Sequence, residues 1–185
     1  GSAPASVAGV APQAEGSAVT AATPRATYSP VLQSDGTYLC TVKSEWEYEK
    51  ALDEIEDDVP EGAEVTICAT ASFSEKEQYD VEGVAGRSIT LTADEGVTFT
   101  VRLGESLEGD LTLDRVRLNL SYNSDETWCN GFHFETTENT TATLTYGATN
   151  LYGGSEGSDV ASTDIVLNGG AFRNVYAGGS NGGAV

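Results

Sequence analysis

From Glu64 onward, the chain alternates apolar residues with threonine, asparagine or charged residues in short segments. A period of two residues is typical of β-strands that bury one face and expose the other. Asp, Gly, Asn and Ser cluster between these segments, and such residues favour turns. The predicted strands are Val65–Cys68, Ser88–Leu91, Val97–Val101, Asp110–Leu113, Val116–Leu120, Phe132–Phe134, Ala142–Thr145 and Ile165–Leu167.

A helical period precedes these strands and predicts one helix at about residues 44–58. Ser44 and Glu47 have the spacing of a capping box, in which each side chain accepts a hydrogen bond from an exposed amide. Pro60 disfavours helical geometry in the residue before it, which marks the end of the helix. Ordered structure is expected to begin just before the helix, with a strand at 37–42. The apolar residues at helical spacing are Tyr48, Ala51, Leu52 and Ile55.

Apolar strand residues recur at a nearly fixed distance along the chain. The distances are 22 residues from Ile67 to Ile89, 22 from Ile89 to Leu111, 24 from Leu120 to Leu144 and 23 from Leu144 to Leu167. A phrase of asparagine, aliphatic residue, tyrosine and glycines begins at Asn150 and returns 24 residues later at Asn174. A fixed distance predicts strands that stack in parallel, each above the strand of the previous repeat. Asn130-Gly131 and Asn168-Gly169 are hairpin signals, so an antiparallel sandwich stays an alternative.

Two regions of different composition divide the chain. Residues 1–27 are almost entirely Ala, Ser, Gly, Pro, Val and Thr, and they are predicted to form a disordered linker because they offer little large apolar surface. Residues 38–185 form the predicted β-rich domain. The sequence stops in mid-repeat at Gly182-Gly183-Ala184-Val185 without a capping segment, so this domain is predicted to be truncated at its C-terminal end.

The net charge of −20, from 29 acidic and 9 basic residues, excludes non-specific binding to nucleic acid, which needs clustered lysine and arginine. It also opposes docking on an anionic membrane. No apolar run approaches the roughly 20 residues that a membrane span needs, so no membrane insertion is expected. The predicted location is secreted or on the cell surface, with a signal peptide already removed.

Cys40, Cys68 and Cys129 are widely spaced and form no CxxC pair. Three such cysteines are too few for a disulfide scaffold and lack the spacing of a zinc site. They are predicted to be small buried residues, and one disulfide with a leftover thiol stays open as an alternative.

The order of these segments resembles a known family. The segments that carry the resemblance are Trp46 to Leu52 in the helix, Gly62 to Ile67, Gly86 to Thr92, Gly109 to Val116 and Thr163 to Tyr176. They are similar to the right-handed parallel β-helix proteins of the pectate-lyase-like class, and in particular to bacterial surface proteins and adhesins of that fold. The resemblance implies an all-β fold, a right-handed parallel β-helix (solenoid) with one N-terminal capping helix, of which this chain is an N-terminal fragment.

That resemblance also implies a function. We expect a non-enzymatic, extracellular or cell-surface structural or adhesive module that binds glycans or host surface proteins. The alternative is a non-catalytic or N-terminal part of a pectate-lyase-like, carbohydrate-active enzyme whose catalytic turns lie beyond Val185. No cofactor is predicted.

A calcium site is one candidate for chemistry. The segment 153–161 is a near match to the nonapeptide GGxGxDxUx, whose aspartates bind Ca²⁺ in repeats. Glu156 and Asp159 are the candidate ligands. A hard cation needs several converging oxygens, and one imperfect copy supplies few, so a plain turn cluster with glycines at positive φ is the alternative.

Five aromatic residues form a second candidate, a sugar-stacking surface. Aromatic rings with polar tips suit wet binding surfaces, but aromatic residues stacked in successive repeats as a core ladder have the same sequence pattern. The five residues are Tyr122, Trp128, Tyr146, Tyr152 and Tyr176.

Catalytic residues are not predicted. The acids and arginines at Asp110, Asp114, Arg115 and Arg117 could share one face, but alternating charges on a strand are more typical of a solvated ladder of cross-strand pairs. His133 is the sole histidine, so no two-histidine metal site can form within the chain. It is expected to be an ordinary, partly buried strand residue.

Overall fold

The computed structural model of the protein describes residues 25–78, 84–104, 106–119, 126–143, 150–180 and 184–185. Within these ranges the chain forms strands and one helix, α1, so the predicted all-β class is confirmed. Helix α1 is Glu45–Asp58, and no helix in the described part is long and apolar enough to cross a bilayer. The strands are β1 Val31–Leu32, β2 Tyr38–Val42, β3 Glu64–Ala69, β4 Phe73–Gln78, β5 Ser88–Ala93, β6 Phe99–Arg102, β7 Leu111–Leu113, β8 Val116–Asn119, β9 Glu126–Trp128, β10 His133–Thr136, β11 Thr141–Thr143, β12 Asn150–Tyr152, β13 Asp164–Leu167 and β14 Asn174–Tyr176.

The described strands form three sheets. Sheet 1 has the order β1-β2-β3-β5-β7-β10-β13, sheet 2 has β11-β8-β6-β4, and sheet 3 has β14-β12-β9. All pairs among these strands are parallel except β1 with β2, a hairpin at one edge of sheet 1 that the sequence analysis did not anticipate. From β3 onward, strands that follow one another in sequence lie in different sheets. The parallel pairing rules out the antiparallel sandwich.

Apolar side chains of sheet 1 form a column that crosses the strands. Val65 pairs with Ile89, Ile89 with Leu111, and Leu111 with Phe134. Each of the four is at most 2% exposed, because the neighbouring strands cover it. Full burial of such a side chain stabilises the fold by about 1.5–3 kcal/mol relative to exposure. A repeat is the stretch of chain from one strand of a sheet to the next strand along the chain that pairs with it. The core therefore lies between repeats, and each repeat depends on its neighbours.

Contacts between paired strands give the length of the repeat. Ser88 contacts Asp110, 22 residues on, and Asp110 contacts His133, 23 residues on. His133 contacts Asp164 after a longer step of 31 residues. The extra length lies in the segment between β12 and β13, which contains the glycine-rich region that follows Tyr152.

Two of the distances used in the sequence analysis do not join paired residues. Ile67 pairs with Leu91 rather than with Ile89. Leu167 pairs with Thr136 of β10, whereas its predicted counterpart Leu144 lies outside the described residues. The nearly constant spacing is visible in the sequence nonetheless. Apolar residues recur at every second position of a strand, so comparing positions that are two residues out of register still compares apolar residues.

Helix α1 begins at the predicted capping signal, which confirms the helix. The backbone N–H of Glu47 donates to Ser44 Oγ at 3.2 Å. The Glu47 carboxylate accepts from the backbone N–H of Lys43 at 3.1 Å, one residue earlier than a capping box requires. Tyr48, on the buried face, packs against Phe99 of β6 with ring centroids 5.3 Å apart. The helix thus covers the N-terminal end of the core.

An arginine side chain that precedes β5 stabilises the C-terminal end of α1. The last turn of the helix contains no basic residue. Arg87, just before β5, donates through Nη2 to the carbonyl oxygens of Val59 at 2.6 Å and Glu56 at 3.2 Å. A positive charge is favourable at a helix C-terminus because the carbonyl dipoles point toward it. Helix and first repeats are therefore joined by electrostatics as well as by packing.

Contacts begin earlier in the chain than the first predicted strand. Residues 1–24 of the predicted linker lie outside the described residues. Arg25, also in that linker, has its Nη2 3.3 Å from Glu54 Oε1 and 3.2 Å from Asp58 Oδ2. Ser29 Oγ donates to Glu54 Oε1 at 2.7 Å. The segment before β2 therefore packs along the acidic face of α1.

All three cysteines are free thiols. Cys40 and Cys129 are fully buried, as predicted for small apolar residues, and burial raises the pKa of each thiol to about 12. Cys68 is half-buried and its thiol donates to Asp94 Oδ1 at 3.4 Å. Burial, followed by that hydrogen bond and the Asp94 charge, raises the pKa of Cys68 to about 11. Because the thiolate is the reactive form, the raised pKa lowers the reactivity of these thiols at neutral pH.

Glycine in the repeated Tyr-Gly-Gly segments permits close approach between repeats. A Cβ on Gly153 would lie 2.7 Å from the Ala177 carbonyl oxygen and 2.8 Å from Thr163 Cβ. The positive φ expected of this cluster occurs at Gly157, where it is 78°, but not at Gly153. Nothing lies within 4 Å of the Cβ position of Gly178. Packing against the next repeat, rather than backbone conformation, therefore selects glycine at position 153.

We predict that Gly153→Ala lowers the free energy of unfolding by about 1–3 kcal/mol, the usual cost of overpacking. The matched control, Gly178→Ala, should leave it unchanged or raise it by about 0.4–1 kcal/mol, because alanine restricts the unfolded chain. Urea unfolding followed by circular dichroism measures both. Equal effects of the two substitutions would contradict the close approach.

Candidate functional site

A polar row crosses the outer face of sheet 1 in the direction of the repeats. Ser88 Oγ lies 3.4 Å from Asp110 Oδ2, and Asp110 Oδ1 accepts the backbone N–H of His133 at 2.9 Å. His133 Nδ1 lies 2.7 Å from Asp164 Oδ2. These four residues come from successive repeats, so the row links β5 through to β13. We call them the polar row.

His133 lies between two carboxylates. Its Nε2 is 2.9 Å from Glu135 Oε1, while Nδ1 contacts Asp164 on the neighbouring strand. Partial desolvation, the largest contribution, lowers the pKa of His133, but the hydrogen bonds and charges of Glu135 and Asp164 together raise it above its ordinary value. Asp110, which accepts the backbone N–H, adds a third nearby carboxylate. The His133 side chain therefore links β13, the last strand of sheet 1, to β10.

The stability of the C-terminal repeat should depend on pH through His133. A pKa that folding raises gives stability that is fully present below the unfolded pKa, near 6.5, and is lost as pH rises through the folded pKa. We predict that His133→Gln lowers the melting temperature at pH 5.5–6, and that the difference from the parent protein shrinks above neutral pH.

Asp164→Asn provides the matched control. It removes one carboxylate partner and should lower the pKa of His133, which NMR titration can follow directly because the chain has one histidine. A difference in melting temperature between the parent protein and His133→Gln that stays constant from pH 5.5 to pH 9 would contradict a charged histidine.

A second polar cluster surrounds Asp114, where the chain leaves β7. Thr92 Oγ1 donates to Asp114 Oδ2 at 2.9 Å, and Thr137 Oγ1 donates to Oδ1 at 2.6 Å. Asn139 Nδ2 lies 3.3 Å from the same Oδ1. Desolvation raises the pKa of Asp114, but these three hydrogen bonds and the Arg115 charge outweigh it and lower the pKa. The carboxylate therefore joins three repeats at one corner.

Arg115 follows Asp114 in an unusual backbone conformation. Its φ is 56°, in the left-handed region, which costs a non-glycine residue on the order of 1–2 kcal/mol. Asn130, with φ of 53°, is the other non-glycine residue at positive φ in the described part, and asparagine tolerates this region better than arginine does. Residues held in such conformations require a surrounding structure that fixes them, and here the hydrogen bonds to Asp114 provide it.

A cavity of about 300 Å³ opens beside this corner. We call it the corner cavity. It is lined by the turn 94–98, by Arg115 and Arg117 at the start of β8, and by Asn139 and Thr141 from the next repeat. Arg117 is exposed on its outer wall. The cavity therefore lies between neighbouring repeats, and its lining residues include two acids, Asp94 and Glu95, as well as the two arginines.

A larger cavity of about 520 Å³ adjoins it, and Asn139 lines both. Its remaining walls are mainly acidic or amide side chains, namely Asp114, Glu135, Thr137, Glu138 and Asn168. Asn139 therefore lies between the two cavities.

The four charged residues considered for catalysis do not form one cluster. Asp110 belongs to the polar row, and Asp114 to the hydrogen-bonded corner. Arg115 and Arg117 line the corner cavity. The closest approach between an acid and an arginine of this set is 3.8 Å, from Asp114 Oδ2 to Arg115 Nε. Thr92, Thr137 and Asn139 complete the corner, and sequence reasoning missed them because they adjoin Asp114 only after the strands pair.

Three of the five predicted aromatic residues stack on the outer face of sheet 3. The rings of Trp128 and Tyr152 lie 5.6 Å apart with 12° between their planes, and those of Tyr152 and Tyr176 lie 4.8 Å apart with 14°. Tyr122 and Tyr146 lie outside the described residues. The intervening strand residue Leu151 points inward and is fully buried, so the ladder lies on the opposite, outer face.

This ladder leaves little ring surface for a sugar. Both faces of the Tyr152 ring are covered by its aromatic neighbours. Trp128 is 7% exposed, and its Nε1 donates to Ser180 Oγ at 2.6 Å. Tyr176 is 43% exposed and ends the row among the described residues. Its outer face is the surface on which a sugar ring could stack.

The two candidate calcium ligands are exposed side chains on either side of a turn. Asp159 Oδ1 accepts the backbone N–H of Ala184 at 3.2 Å. Glu156 forms a parallel bridge with Ser180 through its backbone. Among the described residues, neither belongs to a group of three or more closely spaced acidic, histidine or cysteine ligands. Calcium binding at this turn stays a prediction.

One group of three carboxylates does occur in the described part, at the other end of the protein. Oxygen atoms of Glu45, Glu49 and Glu75 lie within 4.8 Å of one another, and Glu75 is 3% exposed. Glu45 and Glu49 are one helical turn apart on α1, whereas Glu75 comes from β4, a strand that the sequence analysis did not predict.

The C-terminal end of the described core is not covered. Val175 pairs with the fully buried Leu151, yet it is 48% exposed, and β14 is an edge strand among the described strands of sheet 3. Val166 and Leu167 of β13 are each 36% exposed. Asn174 Nδ2 donates to Asn150 Oδ1 at 3.0 Å, so an amide ladder also runs toward this end. We call this surface, formed by β13 and β14, the open end.

No family model, curated protein or solved structure matches this chain. The resemblance noted from the sequence therefore has no independent support from relatives, and any function has to be argued from the geometry described above.

Proposed function

We propose that the chain forms a right-handed parallel β-helix and serves as a non-enzymatic structural or adhesive module, secreted or on the cell surface, that binds glycans. The observation that carries this proposal is the combination of three sheets, in which all pairs but β1 with β2 are parallel, with α1 across the N-terminal end. Successive strands change sheet, and each pairs in register with the strand of the next repeat. Such pairing is what a solenoid requires.

The handedness rests on a general rule. Connections between parallel strands of one sheet are right-handed in about 98% of cases, because the twist of the strands favours that path. The connections between β5, β7 and β10 are of this kind, since each leaves sheet 1 and returns to it.

The stacking of like side chains between repeats supports a structural role. At the open end, Val175 continues a buried column, Asn174 an amide ladder and Tyr176 a row of stacked rings. A further repeat with the same pattern, asparagine, aliphatic residue and tyrosine, would continue all three. We propose that stacking of such repeats is the structural role of the module.

The buried thiols are compatible with an extracellular location. Disulfides form between accessible thiolates, and oxidising compartments promote them. Burial keeps Cys40 and Cys129 away from solvent and suppresses their thiolates, which disfavours disulfide formation.

The alternative is a carbohydrate-active enzyme, and the acidic cavity of about 520 Å³ favours it. Glycoside cleavage uses two carboxylates, one of them free to exchange a proton. Three carboxylates line this cavity, those of Asp114, Glu135 and Glu138. Asp114 accepts three hydrogen bonds and Glu135 contacts His133, so two of the three already have structural partners. A role in binding therefore fits this surface better than a role in catalysis.

Glycan arrays combined with product analysis test the proposal. We expect the chain to bind a subset of carbohydrates without cleaving them. Release of unsaturated or reducing products from uronic-acid polymers would replace the adhesive module with the enzyme. A lack of binding to any glycan would remove the glycan-binding part and leave the structural role.

Duplication of one repeat tests the stacking role. We predict that inserting a second copy of residues 150–173, the 24-residue period of sheet 3, after Arg173 raises the melting temperature. Each added interface stabilises the stack, and one kcal/mol corresponds to about 2–4 °C in a chain of this size. The control inserts the same residues in shuffled order, which breaks the register. Equal destabilisation by both insertions would contradict the solenoid.

A further inference from the structure

We propose that the aromatic ladder of Trp128, Tyr152 and Tyr176 transfers single oxidising equivalents, and that Tyr152 holds the resulting radical by passing its phenolic proton to Glu126. The co-reactant is an outer-sphere one-electron oxidant, and the role is independent of glycan binding. Three features of sheet 3 carry the proposal: the close stacking of the rings, a proton acceptor on one of them, and an exposed ring at the edge of the sheet.

The three rings form a continuous stack across neighbouring strands. The ring centroids of Trp128 and Tyr152 are 5.6 Å apart and those of Tyr152 and Tyr176 are 4.8 Å apart, with no more than 14° between adjacent planes. The register fixes this spacing, because the three residues are paired across β9, β12 and β14. At such separations the π orbitals of adjacent rings overlap. An electron vacancy created on one ring therefore passes readily to the next.

The hydroxyl of Tyr152 has a base as its partner. Tyr152 Oη donates to Glu126 Oε2 at 2.8 Å, whereas Trp128 Nε1 donates to the hydroxyl oxygen of Ser180 at 2.6 Å. Loss of one electron makes a phenol or an indole strongly acidic, so a base that takes the proton stabilises the oxidised ring. A carboxylate is a much stronger base than a hydroxyl, and 2.8 Å is within reach for proton transfer. The vacancy therefore comes to rest on Tyr152 rather than on Trp128.

The proton of Tyr152 has to move when the electron leaves. Burial, followed by the hydrogen bond and charge of Glu126 and the charge of Tyr176, raises the pKa of Tyr152 to about 12, so the phenol is protonated at neutral pH. The oxidant takes one electron, the O–H bond of Tyr152 breaks, and the proton bonds to Glu126 Oε2. A neutral phenoxyl radical beside a neutral carboxylic acid remains. One negative charge has left a protein whose net charge is −20, and the field of that charge favours its loss.

Tyr176 is the ring at which an oxidant reaches the ladder. It is 43% exposed, whereas Trp128 is 7% exposed and both faces of the Tyr152 ring are covered by its neighbours. An outer-sphere oxidant needs only contact with an exposed ring. The electron therefore leaves through Tyr176, and the vacancy moves inward to Tyr152. The negative field of the protein attracts a cationic oxidant to this surface.

Flash photolysis of the full chain with tris(bipyridine)ruthenium(III), a cationic one-electron oxidant generated by light, tests the proposal. Transient absorption and electron paramagnetic resonance follow the radical. Tyr152→Phe keeps the ring and the stack but removes the transferable proton, so we expect it to lower the yield of long-lived tyrosyl radical at least twofold. The matched control Tyr38→Phe removes a tyrosine from β2 in sheet 1 and should behave like the parent. Equal yields in Tyr152→Phe and the control, or a radical that stays on tryptophan, would overturn the proposal.

Glu126→Gln separates proton transfer from a merely structural hydrogen bond. Glutamine keeps a hydrogen-bond acceptor beside Tyr152 but is not a base. We expect the radical to form about tenfold more slowly or worse, because a positioned base is lost. The parent should also show a slower rate in heavy water, and this isotope effect should disappear in the variant. Equal rates and equal isotope effects in parent and variant, with circular dichroism showing that both are folded, would contradict proton transfer to Glu126.

Discussion

Hydrogen bonding between the backbones of successive repeats, in register, is the constraint on which the other features of this protein depend. It places each residue directly beside its counterpart one repeat away. Where the sequence repeats the same type of residue at that position, like side chains therefore stack on one another. The apolar column that includes Ile89 and Leu111, the amide ladder of Asn150 and Asn174, and the row of aromatic rings all follow from it. A slip of one residue would turn every buried side chain of a strand outward.

The sequence predicted those elements whose signals are local. The helix has its cap at Ser44 and its apolar spacing within one stretch, so both its type and its bounds were recovered. Most strands with a clear alternation were also recovered. The strands that were not predicted are β1, β4, β9, β12 and β14: β4 has a single apolar residue in its sequence, and β9 turns Thr127, a polar residue, into the core. The hydroxyl of Thr127 compensates by donating to the Gly104 carbonyl oxygen at 2.9 Å.

Less of the candidate site could be predicted from the sequence, because its residues come together only through the register of the paired strands. Asp114, Thr92 and Thr137 have no pattern in sequence, yet they meet because each is separated by about one repeat. The sequence predicted that the aromatic residues stack, but it did not decide whether they stack in the core or on the surface. That depends on which residue of each strand points into the core. Leu151 decides this, since its complete burial leaves the outer face to Tyr152.

Because of the aromatic ladder, the intrinsic fluorescence of the protein also reports whether the C-terminal repeat is folded. Excitation absorbed by Tyr176 or Tyr152 passes readily to a tryptophan stacked on them, so Trp128 collects light that the last repeats absorb. Trp128 is 7% exposed, whereas Trp46, on the helix, is 59% exposed and emits at longer wavelength. Detachment of the C-terminal repeat therefore changes the emission of one tryptophan and leaves the other as an internal reference.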